Sequence, residues 1–244
     1  MITKRYRIAD RIIEVTSFYE EVHRLCTAYT CDGEPDFSVT VTQEDIDHEY
    51  AMEDRCAASA GRPVNPYTVQ YQDIVAVCRL IGEKMTEYDT VLFHGSAVAV
   101  DGETYLFTAV SGTGKSTHTS LWRELLGDRA VMVNDDKPLI HITDNGVMAY
   151  GTPFNGKHRI GENIAVPLKA ICILERSPDN HIERITRDDA YPMLVQQILR
   201  PRKPEQMAKT MQLIDLLAAQ VQLYRLGCNM DISAAEVAYN AMKG

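Results

Sequence analysis

The stretch that decides the fold reads Thr104-Tyr-Leu-Phe-Thr-Ala-Val-Ser-Gly-Thr-Gly-Lys-Ser116. Its first half is apolar and rich in residues that favour a buried strand. Its second half carries Gly112 and Gly114, then a lysine and a hydroxyl residue. From Ala109 to Ser116 it matches the phosphate loop G-x-x-x-x-G-K-[ST], with Ala in place of the first Gly. The two glycines admit backbone angles that turn successive N–H groups inward, which makes an anion cradle. A helix starting near Ser116 aims the positive end of its dipole at the same point. Lys115 is placed to reach β and γ phosphates, and Ser116 offers the kind of oxygen that Mg²⁺ prefers. Ser111, Gly112, Thr113, Gly114, Lys115, Ser116 and Thr117 are the residues expected to hold a nucleotide.

On the upstream side, Val91 to Val100 reads as a strand carrying His94 on the same face as Leu92 and Ser96. Asp101-Gly102 is a hairpin signal that returns the chain into Thr104–Ala109. Downstream, a helix carrying Leu121, Trp122, Leu125 and Leu126 ends near Gly127. The strand Ala130–Val133 then runs into Asn134-Asp-Asp136. Leu139–Ile142 and Val147–Tyr150 form a second hairpin, and Leu168–Leu174 is an unbroken apolar strand. A helix over 205–219, a strand over 221–226 and the capping-box match Ser233-Ala-Ala-Glu236 complete the chain. Hairpins mixed with βα units predict a mixed, partly antiparallel sheet.

The acids at the end of the third strand have a chemistry of their own. A phosphate-loop domain holds its metal-binding carboxylate at a strand end, which points to Asp135 as a metal ligand beside Ser116. Asp136 then becomes the acceptor of a proton from an attacking hydroxyl, with His94 orienting it or touching the γ-phosphate. Gly151-Thr-Pro-Phe-Asn-Gly-Lys-His-Arg-Ile-Gly161 is Gly-rich, polar and basic, and Lys157 and Arg159 are its candidate substrate residues. Arg200-Pro-Arg-Lys-Pro204 reads either as an Arg fork for phosphate or as a rigid connector into the next helix.

Residues 1–62 read as a small β-rich unit, from the strand candidates 6–9, 11–15 and 36–41. The breaker cluster Gly61-Arg-Pro-Val-Asn-Pro66 divides it from a core over 63–244. That core opens with a helix whose Tyr67, Tyr71, Ile74, Val77, Cys78, Ile81 and Met85 recur at helical spacing. The 244 residues carry a net charge of −9 and no long Lys/Arg run, which argues against a nucleic-acid face. The six cysteines form no Cys-x-x-Cys pair, so a zinc site is not expected. No signal peptide and no membrane-length apolar stretch is visible, and the expected location is the cytoplasm.

His94-Gly95, Ser111-Gly-Thr-Gly-Lys-Ser116 and Val133-Asn-Asp-Asp136 together resemble the catalytic domain of bacterial HPr kinase/phosphorylase and the related HPr-kinase-like serine kinases. The loop is also similar to that of ATP-dependent phosphoenolpyruvate carboxykinase. The resemblance implies an α/β fold with a mixed-sheet P-loop kinase core of that type, using ATP and Mg²⁺. It implies that Lys115 and the loop amides hold phosphates, that Ser116 and Asp135 serve Mg²⁺, and that Asp136 with His94 deprotonates an acceptor hydroxyl. The expected acceptor is Ser of a peptide or small protein, or a small molecule, and the expected assembly is a homo-oligomer. A carboxykinase-like enzyme, a silent nucleotide-binding regulator and a phosphorylase stay open as alternatives. The Glu and Arg-Gly-Leu-Gly signature of HPr kinases has no counterpart; the 151–161 stretch stands in its place.

Overall fold

A hairpin needs a turn whose twist matches its strands, and the chain begins with one. β1 (Ile2–Ile8) and β2 (Arg11–Ser17) pair antiparallel around Ala9 and Asp10, both in the left-handed region. The computed structural model describes residues 1–59, 61, 63–64 and 67–244. The chain divides into two compact units, Met1–Ile81 and Gly82–Gly244.

In the first unit, α1 (Glu20–Leu25) follows β2, and β3 (Phe37–Thr40) joins β2 in parallel. Tyr6, Ile8, Ile13, Val15 and Val39 are buried, which fits the period of two. The unit is not chiefly β, however, because two long helices, α2 (Gln43–Ser59) and α3 (Val69–Met85), belong to it in whole or in large part. The sequence hides α2 because its buried face is charged: Asp45 and Glu49 are buried beside Ile46 and Ala57. Arg79 of α3 answers both acids, with Nη2 2.8 Å from Asp45 Oδ1 and Nε 2.5 Å from Glu49 Oε1. Removing one member of a buried ion cluster leaves the others uncompensated. Arg79→Ala is therefore expected to destabilise this unit by about 3–5 kcal/mol, measured by urea unfolding, while Arg79→Lys recovers part of the loss.

The same contacts move the expected division at 62/63. Asp73 accepts the N–H groups of Phe18 and Tyr19, at 3.3 and 3.1 Å, so most of α3 goes with the first unit. Arg62, Asn65 and Pro66 of the breaker cluster lie outside the described residues.

The second unit is a nine-stranded mixed sheet with helices on both faces. In chain order it contains β4 (Thr90–Leu92), β5 (Ser96–Val100), β6 (Glu103–Thr108), α4 (Lys115–Leu126) and β7 (Ala130–Asn134). There follow β8 (Leu139–Thr143), β9 (Gly146–Tyr150), β10 (Ala165–Arg176), β11 (His181–Arg184) and α5 (Arg187–Gln197). The chain closes with α6 (Pro204–Gln220), β12 (Gln222–Cys228) and α7 (Ser233–Met242). The strand order is β4-β8-β9-β10-β6-β5-β7, with β12 also on β10 and β11 on β12. β10 pairs antiparallel with β9 at its start and parallel with β6 and β12 further on. Alternate residues feed opposite cores. Ala97, Ala99, Leu106, Ile171 and Ile173 pack with Leu194 of α5 and Leu213, Ile214 and Leu217 of α6. Val98, Val100, Tyr105, Phe107 and Cys172 pack with Trp122 of α4 and Ala235 and Ala238 of α7. A sheet covered on both faces explains why its strands read as continuous apolar runs.

Two expectations fail locally. The strand foreseen over 91–100 is broken at Phe93–Gly95: β4 pairs with β8, whereas β5 pairs with β6 and β7. A Cβ on Gly95 would stand 2.9 Å from Leu106 Cδ1 and from the Phe107 carbonyl, so only Gly fits this crossing. The capping box at Ser233 does not form, because Ser233 is already the first helical residue after the N-cap Ile232; its hydroxyl accepts from Asn180 Nδ2 at 2.9 Å. The capping box lies at α5, between Thr186 and Asp189. No helix among the described residues is long and apolar enough to cross a membrane.

Candidate functional site

The loop between β6 and α4 takes the shape its glycines allow. Gly112 and Gly114 have φ of 81° and 123°, angles that an L side chain rarely adopts. Thr113 closes the turn by giving both its N–H and its hydroxyl to the Val110 carbonyl, at 3.2 and 2.8 Å. Arg176 at the end of β10 donates from Nη2 to the Gly112 carbonyl at 2.6 Å and ties the loop to the sheet. Gly114 is the N-cap of α4 and has no side chain to satisfy the first-turn N–H groups, so the helix end is left open to an anion. Lys115 is part-buried and donates only weakly, at 3.4 Å, to the Ala109 carbonyl. Burial lowers its pKa, and the charges of Asp136 and Asp135 partly offset that. Lys115 therefore stands within electrostatic reach of both acids.

Asp135 and Asp136 leave β7 in different settings. Asp135 is 7% exposed, and its Oδ1 accepts from Ser96 Oγ at 2.6 Å. With its own proton given to Asp135, Ser96 Oγ accepts from Thr119 Oγ1 of α4 at 2.8 Å, and the carbonyls of Ser116 and Lys115 lie 3.2 and 3.4 Å from the same Thr119 hydroxyl. A hydrogen-bonded chain thus ties this carboxylate to the first turn of α4, where Ser116 sits. A carboxylate and a hydroxyl are hard oxygen donors, the set Mg²⁺ takes alongside waters and substrate phosphates. Asp136 is half-exposed, with Oδ1 3.4 Å from His94 Nε2 and 3.8 Å from Lys137 Nζ. Burial pushes its carboxyl up. The His94 hydrogen bond, Lys137 and Lys115 outweigh burial and hold it below the usual range. The Asp136 hydrogen bond pulls the His94 imidazole up, yet burial, Lys137 and Lys115 leave it below the ordinary histidine value. At neutral pH the pair is therefore a carboxylate accepting from a neutral imidazole.

Lys137 is absent from the expectations and Asn134 appears there without a role, yet both shape the site. Asn134 is fully buried, and its Nδ2 donates to the carbonyl and hydroxyl of Thr152, at 3.1 and 2.9 Å. Its Oδ1 accepts the N–H groups of Asp136 and Lys137, at 2.8 and 2.6 Å. Asn is a turn former for this reason, and Asn-Asp-Asp after an apolar strand is the signal that would have found it. Asn134→Ala is expected to cost about 3 kcal/mol or more, from several buried groups left unpaired. Calorimetric melting measures that cost, and the activity of the residual folded protein should fall with it.

The 151–161 stretch is anchored along the outer edge of β7. Asp135 N–H donates to the Ile160 carbonyl at 3.2 Å, and Glu162 N–H to Met132 at 3.1 Å. Gly156 lies against Asp136: a Cβ there would stand 3.2 Å from the Asp136 Cβ. Lys157 and Arg159 are exposed, and Arg159 lines a separate cavity with Arg123 and Asp128. In the 200–204 segment, Arg202 donates to Glu83 at 3.2 Å and Pro204 starts α6, which fits the connector reading.

The profile of one protein family, described as SynChlorMet cassette protein ScmC, matches residues 62–231, more than half of the chain. The chain belongs to the ScmC family. The ScmC match takes in the glycine-containing loop of residues 109–116, His94 and both aspartates. No curated protein matches the chain. Among solved structures, the Hpr(Ser) kinase/phosphatase from Coxiella burnetii overlaps this ScmC-family chain at a TM-score of 0.37 and 10% identity. The overlap covers 62% of this chain and 89% of that one, and it is too loose to assign a role to any residue.

Proposed function

We propose that this chain is an HPr-kinase-like phosphotransferase. It would move the γ-phosphoryl group of a Mg²⁺-bound nucleoside triphosphate, ATP first, to a hydroxyl, with Ser of a peptide or small protein as acceptor. One observation carries the reading: Lys115 on the loop, Asp135 tied to α4, and the His94–Asp136 pair come together from separate segments of the chain. The cradle amides and Lys115 bind and orient the phosphates. Ser116 and Asp135 are the residues that would hold Mg²⁺, which neutralises charge on the phosphates. Asp136 accepts a hydrogen bond from the acceptor hydroxyl, and Lys137 adds positive charge beside the transferring group.

A carboxylate held this acidic is a weak base. Phosphoryl transfer through a loose transition state asks mostly for positioning and charge stabilisation, so an oriented acceptor suffices until the proton leaves late. A family named for a cassette makes small proteins and peptides encoded beside it the first acceptors to assay. The test is mass spectrometry of those products after incubation with the protein, Mg²⁺ and γ-labelled ATP, beside an Asp136→Asn control. Label on one serine, missing in the control, supports the reading. ATP bound with no label on any acceptor, and none on serine-like metabolites, would turn it towards a silent regulator.

A further inference from the structure

Three buried polar side chains meet beneath α4: Ser96 at the start of β5, Asp135 just past β7, and Thr119 on α4 itself. Ser96 shares its strand face with Val98 and Val100, which pack with Phe107 and Trp122 in the core on that side. Buried polar partners that apolar groups of the same shape could replace add little net stability. Folding alone therefore does not account for the cluster.

The direction of its hydrogen bonds is fixed. A carboxylate oxygen accepts, so Ser96 gives its single proton to Asp135 Oδ1, at 2.6 Å. Ser96 Oγ is then the acceptor for Thr119 Oγ1, 2.8 Å away. The same Thr119 hydroxyl lies 3.2 Å from the Ser116 carbonyl. The main chain of Asp135 is held as well, since its N–H donates to the Ile160 carbonyl at 3.2 Å. One carboxylate oxygen and the backbone are thereby engaged, and Oδ2 is the oxygen left for a metal. Asp135 and Ser116 come from different elements, and Ser96 with Thr119 bridges them. Partners of this kind orient metal-ligating carboxylates.

We propose that Ser96 and Thr119 are positioning residues for the metal. They hold Asp135 so that Oδ2 is presented and keep it in a fixed relation to Ser116. They thus set how strongly the site takes a divalent cation, while the phosphates are held by other groups. The inference rests on the reading of Asp135 and Ser116 as the residues that would hold Mg²⁺.

Mn²⁺, which takes the same oxygen donors as Mg²⁺, is the probe. Electron paramagnetic resonance counts the free ion in the presence of the intact protein and a non-hydrolysable ATP analogue. Thr119→Val and Ser96→Ala are each expected to weaken Mn²⁺ binding by about tenfold, the lower end for lost outer partners of a metal ligand. Affinity for metal-free tripolyphosphate, measured by calorimetry, should stay as in the wild type. Thr119→Ser restores the hydroxyl and should recover most of the loss. Thermal melting identifies which variants are folded, and either of the two deletions suffices. Unchanged Mn²⁺ affinity in a folded deletion variant would overturn the proposal. So would equal losses of Mn²⁺ and tripolyphosphate, the mark of a merely structural role. Asp135→Asn tests the reading underneath: if it too left Mn²⁺ binding unchanged, the metal role of Asp135 would fall, and the proposal with it.

Discussion

Lys115→Ala is expected to weaken Mg-ATP binding by about 10- to 100-fold, the worth of a charge-assisted hydrogen bond. Phosphoryl transfer should fall further, by on the order of 10³-fold, because a fixed charge at the transferring group matters most in the transition state. The structure gives a reason to expect the fold to survive. The ammonium is part-desolvated, donates only at 3.4 Å to the Ala109 carbonyl, and has its pKa lowered chiefly by burial. A cation held at a desolvation cost with one weak hydrogen bond contributes little to folding. Melting temperature should therefore stay unchanged while calorimetry loses the binding heat. Unchanged turnover would refute the loop assignment.

Asp136→Asn is expected to leave Mg-ATP binding intact, or to tighten it a few-fold, and to slow the chemical step by about 10²–10⁴-fold. The shape is conserved: the new amide oxygen still accepts from His94 Nε2, and Gly156 still packs on the same Cβ. What is lost is the negative charge facing Lys115 and Lys137, so the polyphosphate meets a more positive site. Single-turnover kinetics beside equilibrium titration separate the two effects. If binding collapsed as far as the chemical step, Asp136 would be mainly a metal residue.

Much of this was legible in the chain itself, where local signals and tertiary structure agree. The Asp101-Gly102 turn, with φ of 53° and 85°, closes the β5–β6 hairpin as its residues demand. The helix from Lys115 ends at Gly127 because that residue takes φ 56° at its C-cap. The pairing of His94 with Asp136 was foreseen from residue type, although by a route that fails. A continuous strand would have put His94 and Ser96 on one face, whereas the break at Phe93–Gly95 sends His94 to Asp136 and Ser96 to Asp135. What stayed hidden depends on partners distant in sequence. The charged face of α2 makes sense only opposite Arg79, and α7 starts one residue early, so Ser233 falls inside it after the N-cap Ile232. Lys137 was passed over beside two more conspicuous acids, and its value shows only in its 3.8 Å approach to Asp136.

The most direct test of the phosphate-loop assignment is a crystal structure of the protein with Mg²⁺ and a non-hydrolysable ATP analogue. The expected result has the phosphates on the N–H groups of residues 111–116, with Lys115 Nζ moved from the Ala109 carbonyl to the β and γ oxygens. It has the metal beside Ser116 and Asp135, with the terminal phosphate facing Asp136 and His94. An analogue bound elsewhere, or a loop that keeps its Lys115–Ala109 contact with no anion in the cradle, would contradict the assignment.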